Sequence, residues 1–246
     1  MMKKLTLAAV MTWFIAPLAL AAGTVDVYIN GAKEAKTLTD AAHLADLVAQ
    51  PRLENSWWPG AVIAEKQATA VALQQKQTLM AQLGALAADE SGDDAAAINA
   101  VRQQLQTLNV TGRQFISLDP DRVRLGRRAN PPLEGQYSLW VGQQPTTVSV
   151  FGLISRPGNT AFVPGKDVAA YLDEMSLLSG ADRSYAWVIY PDGRKEKAPV
   201  AYWNKRHIEP MPGSIIFVGF ADSLWTKKYD DLNAALLRAL AQRIPE

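Results

Sequence analysis

The chain contains no cysteine. That removes a disulfide framework, a cysteine-bound structural zinc and a thiol for lipid attachment. Histidine is almost as scarce. His43 and His207 are the two present, too few for a histidine-rich metal centre. A G-x-S-x-G nucleophile elbow and a nucleotide-binding glycine loop are both missing, since Gly165-Lys166-Asp167 lacks the upstream glycine spacing. No metal and no cofactor are therefore expected. A charge excess is lacking too: 25 Lys and Arg stand against 24 Asp and Glu. This argues against nucleic acid and anionic lipid as partners. Beyond residue 18 there is no long apolar run, so no integral membrane segment is expected in the remainder.

What is present begins with an export signal. Lys3 and Lys4 form a basic start, Leu5 to Leu18 an apolar stretch, and Ala19-Leu20-Ala21 a small-x-small cleavage site. Cleavage is expected after Ala21, because the apolar stretch is short and Pro17 interrupts it. Loss of the two lysines leaves 23 basic against 24 acidic residues, a formal charge of −1. A secreted chain without disulfides must rely on its cores, and an apolar fraction of 48% is enough to build them. That combination suits a bacterial periplasmic protein that is not a lipoprotein.

The stretch Val148–Gly219 reads as strand, strand, helix, strand, strand, strand, an α+β unit. Asp167 opens its helix, and Tyr190-Pro191-Asp192-Gly193 forms its central hairpin turn. The chain before it reads as a divergent copy. Thr24–Ile29 alternates apolar and polar residues, Asn30-Gly31 is a hairpin dipeptide, and Thr39 or Asp40 is placed to cap a helix carrying Leu44, Leu47 and Val48. Between about residues 61 and 110 the composition shifts to Ala, Gln and Leu. Ala72, Leu79, Leu83 and Leu86 share one helical stripe, and Ile98, Val101, Leu105 and Leu108 share another. This predicts an inserted helical hairpin, with Asp93 or Asp94 capping its second helix. Gln114–Leu118 reads as a strand, Asp119-Pro120-Asp121 as a turn, and Val123 and Leu125 as the start of another alternating stretch. Tyr229, Leu232, Leu236, Leu240 and Ile244 recur on one face of a C-terminal amphipathic helix, which is expected to dock on the protein's own body. The division expected is 1–21 signal, 22–144 first domain, 145–220 second domain and 221–246 connector and helix.

The residues singled out for contact are few. Trp57 and Trp58 sit between turn residues, where an indole can stack on a sugar ring or plug a core edge. Arg113 follows Thr111-Gly112 at the hairpin's exit, and could reach a carboxylate of a polymer or partner, or tie the hairpin to the sheet. The polar loop Trp203-Asn-Lys205-Arg206-His207 is a third candidate contact, able to meet an acidic sugar or merely to be solvated. No catalytic residue is assigned. Asp119, Asp121, Asp93 and Asp94 are the available carboxylates, and hydrolysis of a glycoside needs two that converge across a cleft.

Gln50-Pro51-Arg-Leu53, Trp57-Trp58-Pro59-Gly60-Ala61, Thr111-Gly112-Arg113 and Leu118-Asp119-Pro120-Asp121 together resemble the capsule-biosynthesis GfcC family. Asn130-Pro-Pro-Leu133, Trp203-Asn-Lys-Arg-His207 and Gln242-Arg-Ile-Pro245 continue the likeness along almost the whole mature chain. The resemblance implies two β-grasp-like domains related to periplasmic domains of Wza-type exporters, with a helical hairpin in the first. It also implies a role in capsule or exopolysaccharide production. The function expected is a non-enzymatic, monomeric periplasmic accessory protein that binds an outer-membrane exporter, another protein of the same operon, or the polysaccharide itself. The alternatives are a polysaccharide-modifying enzyme and an export component that assembles through its C-terminal helix.

Overall fold

Thr24–Ile29 (β1) turns Val25 and Val27 to one side and Asp26 and Tyr28 to the other, and this alternation sets the first sheet. The computed structural model describes residues 23–126, 128–222 and 228–245. The expected signal segment therefore lies outside the described residues, as does part of the connector at 221–225. Lys36–Leu38 (β2) returns antiparallel to β1 through a turn in which Asn30 and Gly31 both take positive φ, 52° and 70°. Leu44–Val48 (α1), Val62–Glu65 (β3), Lys66–Asp89 (α2), Gly92–Thr107 (α3), Pro120–Arg124 (α4) and Gln136–Val141 (β4) follow. The sheet order is β2-β1-β4-β3, with β1 and β4 parallel at its centre. Val25, Val27, Ile63 and Leu139 face a core closed by α1 and by Val123 of α4.

The second sheet comprises Thr147–Gly152 (β5), Gly158–Ala161 (β6), Tyr185–Ile189 (β7), Lys195–Pro199 (β8) and Ile215–Val218 (β9), with Val168–Leu172 (α5) between β6 and β7. Its order is β6-β5-β9-β7-β8, again with its first and last strands parallel side by side. Without β8, the two orders coincide. In the first sheet, α2, α3 and α4 occupy the chain position that β8 holds in the second. Unlike β1, β9 is buried at every residue, because both faces of this sheet are covered.

The cover on one face comes from far away in sequence. Leu79, Leu83, Ile98, Val101 and Leu105 of the α2–α3 hairpin share one core with Phe151, Ile189 and Phe217. The C-terminal helix Asp230–Ala241 (α6) adds Leu236 and Leu240, both fully buried, to the same core. Each such leucine contributes about 1.5–3 kcal/mol by leaving water. Polar ties hold the hairpin in register. The Gln104 side chain donates to Gly152 O at 2.9 Å and accepts from Gly152 N at 2.8 Å. Ser179 Oγ donates to the Asp94 carboxylate, and Lys76 donates to Leu108 O at 2.6 Å beyond the end of α3.

Several local expectations are corrected. Gln114–Leu118 forms no named strand; Phe115 and Ile116 are exposed, and only Leu118 of its apolar residues enters the first core. Asp119-Pro120-Asp121 starts α4 rather than a turn between strands, with the Asp119 carboxylate accepting from Asp121 N at 3.0 Å. Leu125 is therefore left exposed beyond α4. α1 is not capped by Thr39 or Asp40. His43 is its N-cap, its N–H donates to Asp46 at 2.9 Å, and Pro131 O and the Asn130 side chain take the next two N–H groups. A loop distant in sequence thus completes a local cap made by His43 and Asp46. α3 has Ser91 as N-cap, with Asp93 and Asp94 in its first turn. α6 ends at Ala241, so Ile244 lies past it. In contrast, Asp167 caps α5, accepting from Ala170 N at 2.7 Å.

Candidate functional site

The run Thr111-Gly112-Arg113 leaves α3 and lies along the free edge of β3. Glu65 N donates to Gly112 O at 3.2 Å and Gln114 N to Ile63 O at 2.8 Å. Gly112 is required because a Cβ there would fall on the backbone of Ala68 and Thr69, at the start of α2. Thr111 N donates to Gln242 O at 2.8 Å, so the same run meets the end of α6. Arg113 is consequently aimed inward and is only 8% exposed. Its guanidinium donates to Pro191 O at 2.6 Å and, more weakly, to Ala241 O at 3.4 Å. The Phe115 ring lies 5.5 Å from its charge centre. Three elements meet on this side chain: the first domain, the β7–β8 turn, and the C-terminal end of α6, where carbonyls concentrate negative charge. Burial pulls the Arg113 pKa down to about 10, opposed by the charge of Asp192, so it remains a cation at neutral pH.

Aromatic rings border the same seam. Trp57 is fixed by its backbone N–H, which donates to Gly142 O at 2.8 Å, and its ring packs against Gly60, where a Cβ would collide with it. Tyr28 and Trp140, opposite each other on β1 and β4, stack at 5.3 Å with planes 8° apart. These residues, with Arg113, Pro191 and Arg243, line a cavity of about 50 Å³ that has no carboxylate in its wall. Arg243 donates to Gly213 O across it. A water takes about 30 Å³ in the liquid. The cavity therefore admits a water or a group of carboxylate size, and not a sugar ring.

The structure thus brings Arg113 and Trp57 to one cavity and leaves the other sequence candidates elsewhere. Trp58 packs against the first core from a single 3-10 turn with Pro59 and Gly60. Trp203 stands 72% exposed beside the fully exposed Tyr202, in a turn held by Asn204 N to Ala201 O at 3.0 Å. Lys205 and His207 lie 3.6 and 3.7 Å from Asp167, and Arg206 is exposed. Tyr28, Trp140 and Arg243 were not singled out from sequence. A signal existed for the first two: they occupy outward positions of strands whose other outward residues are polar, Asp26 and Ser138. Arg243 stood only within the Gln242-Arg-Ile-Pro245 run that carries the family likeness.

Among the described residues no helix is long and apolar enough to cross a membrane, and no three His, Cys, Asp or Glu side chains gather in a way that could hold a metal ion. Comparison with known proteins gives matches across both halves. Residues 21–144 match the family described as capsule biosynthesis GfcC, N-terminal, and residues 156–245 match capsule biosynthesis GfcC C-terminal. The uncharacterized protein YjbG of Escherichia coli (strain K12) is 65% identical over 245 residues, covering 100% of both chains.

Proposed function

The chain belongs to the capsule-biosynthesis GfcC family, and from that premise we propose that it serves capsule or exopolysaccharide production as a non-enzymatic accessory protein. The basic and apolar start with its Ala19-Leu20-Ala21 site supports export to the periplasm. Both domains read as β-grasp-like, related to exporter periplasmic domains: each keeps its first and last strands parallel at the centre, with the second strand outside the first. The joint falls near Gln143–Pro145.

The observation that carries the non-catalytic reading is the composition of the seam. It offers a buried guanidinium and three aromatic rings and no carboxylate, which is recognition chemistry rather than acid–base chemistry. Asp119, one of the carboxylates available from the sequence, is engaged as the cap of α4. Assembly through α6 is disfavoured because Leu236 and Leu240 are buried in the chain's own core, which supports a monomer. The contact residues proposed are Arg113 and Trp57 at the seam, with Trp58 as their support, and the loop carrying Trp203, Arg206 and His207. The partner is the export machinery or the polymer.

Calorimetric titration of the mature protein with the producing cell's polysaccharide, and separately with the exporter's periplasmic domains, tests the reading. Binding to one is expected; silence from both would sink it. Trp57→Ala and Arg113→Met are expected to weaken that binding at least tenfold while the protein stays folded. If both bind as the native protein does, the seam is not the contact.

A further inference from the structure

On the β6 side of α3 the helical cover of the second sheet stops, and a groove of about 1250 Å³ opens there. One wall is α3, where Ala96, Ala100, Gln103 and Thr107 recur at helical spacing. The floor is the matching face of β5 and β6, with Ser149 directly opposite Asn159 and joined to it by a 2.5 Å hydrogen bond. Ala96 and Ala100 leave the trough open where larger side chains would fill it. At the far end the groove shares Gln143, Pro145, Gly213, Arg243 and Pro245 with the seam cavity, so the two adjoin. Its charged lining residues are Asp93 and Arg243; amides and hydroxyls share the rest with apolar groups, among them Leu108, Phe151, Ile154, Leu177 and Ile244.

We propose that this groove binds an extended stretch of largely uncharged polysaccharide, running along α3 toward the Trp57–Arg113 seam. The inference rests on the capsule-related reading above and gives the polymer a place in the fold. Size decides between the two openings. The seam cavity cannot hold a sugar ring, whereas the groove exceeds the roughly 300–1,000 Å³ typical of sites for single small molecules. Chemistry agrees with size. Amides and hydroxyls donate and accept at once, as sugar hydroxyls do, and a nearly uncharged wall imposes no strong demand for counter-charge on the polymer. The floor is framed by regular strands and the wall by a helix, so the trough is rigid before binding, which lowers the ordering cost of holding a flexible chain.

The test is an NMR titration of the isotope-labelled mature protein with hexasaccharide-length fragments of the producing cell's capsular polysaccharide. Saturable shifts are expected for backbone amides of residues 96–107 and 147–159. Ala96→Trp, which fills the groove from an exposed helix position, is expected to weaken binding at least tenfold. Leu73→Trp, exposed on α2 and outside the groove, is expected to change it less than twofold. Absence of saturable shifts, or native-like binding by Ala96→Trp, overturns the proposal. The wider reading is separable: fragments that bind with shifts elsewhere, or an exporter domain that binds when the fragments do not, leave the accessory role standing without this groove. If neither binds, both fall.

Discussion

The two sheets share a strand order and differ in what lies against them. The first has one apolar face, closed by the short helices α1 and α4, and its outward positions carry Asp26, Ser138, Tyr28 and Trp140. The second is buried on both faces, with Val150 and Ile216 on one and Phe151 and Phe217 on the other. The difference is supplied by pieces that do not belong to the second sheet in sequence: a hairpin inserted between β3 and β4, and a helix appended after β9. A small four-stranded unit buries less of its chain than a larger one and is correspondingly marginal. Lending its insertion to the neighbour therefore couples the two units and leaves a seam between them, with Arg113 at the junction.

The strongest way to break this comparison is through the hairpin. Leu105→Ala removes a fully buried side chain from the shared core and is expected to cost about 3 kcal/mol. Urea denaturation measures the loss. Hydrogen exchange should show it in the amides of β9, in the other domain, more than in those of β1; the opposite pattern would mean that the hairpin stabilises the domain into which it is inserted. Arg113→Ala comes next, at about 2 kcal/mol, because Pro191 O and Ala241 O lose a buried charged donor. Faster exchange around Tyr190–Arg194 and at the end of α6 would identify the seam as the place that loosens.

The capping difference gives a finer test. Asp167→Ala should cost about 1 kcal/mol through the lost cap of α5. Asp40→Ala, at the place where the sequence repeat sets its counterpart, should change stability by less than about 0.5 kcal/mol, since surface changes away from caps usually do. Equal costs would mean that the two helices are started alike. The smallest effect is on alkaline stability. Burial and a 2.8 Å hydrogen bond to Glu196 push the Tyr190 pKa up to about 12 from the ordinary 10.0. Because the folded value is the higher one, this stabilisation is complete below pH 10 and is lost as pH rises from about 10 to 12. Tyr190→Phe should flatten that part of the stability profile, as read from denaturation midpoints across the range.

Where recognition depended on local rules, the sequence was readable. Turn glycines, the Asp167 cap, the period of the hairpin seams and the closing strand Ile215–Val218 all act within a few residues. The misreadings occurred where a partner from elsewhere overruled a local signal. Asn130 and Pro131 joined His43 and Asp46 at the start of α1, and Gln114–Leu118 kept a strand's composition while only Gln114 bonds to the sheet. The site shows the same split. Arg113 and Trp57 could be named from their turn-rich surroundings. Tyr28 and Trp140 needed the register of two strands 112 residues apart, since Tyr28 lies opposite Trp140. The groove needed the hairpin's placement on the second sheet.

From the chain alone came the absence of cysteine, the paired α+β units and the amphipathic helices. These follow from composition and short-range periodicity, which sterics and the hydrophobic effect read locally. Tertiary structure decided which core the hairpin would enter, that Arg113 would serve carbonyls of two distant elements, and that a trough would remain beside α3. An apolar stripe specifies that it must be buried and not against what. The partner is chosen by the shape and order of the whole chain.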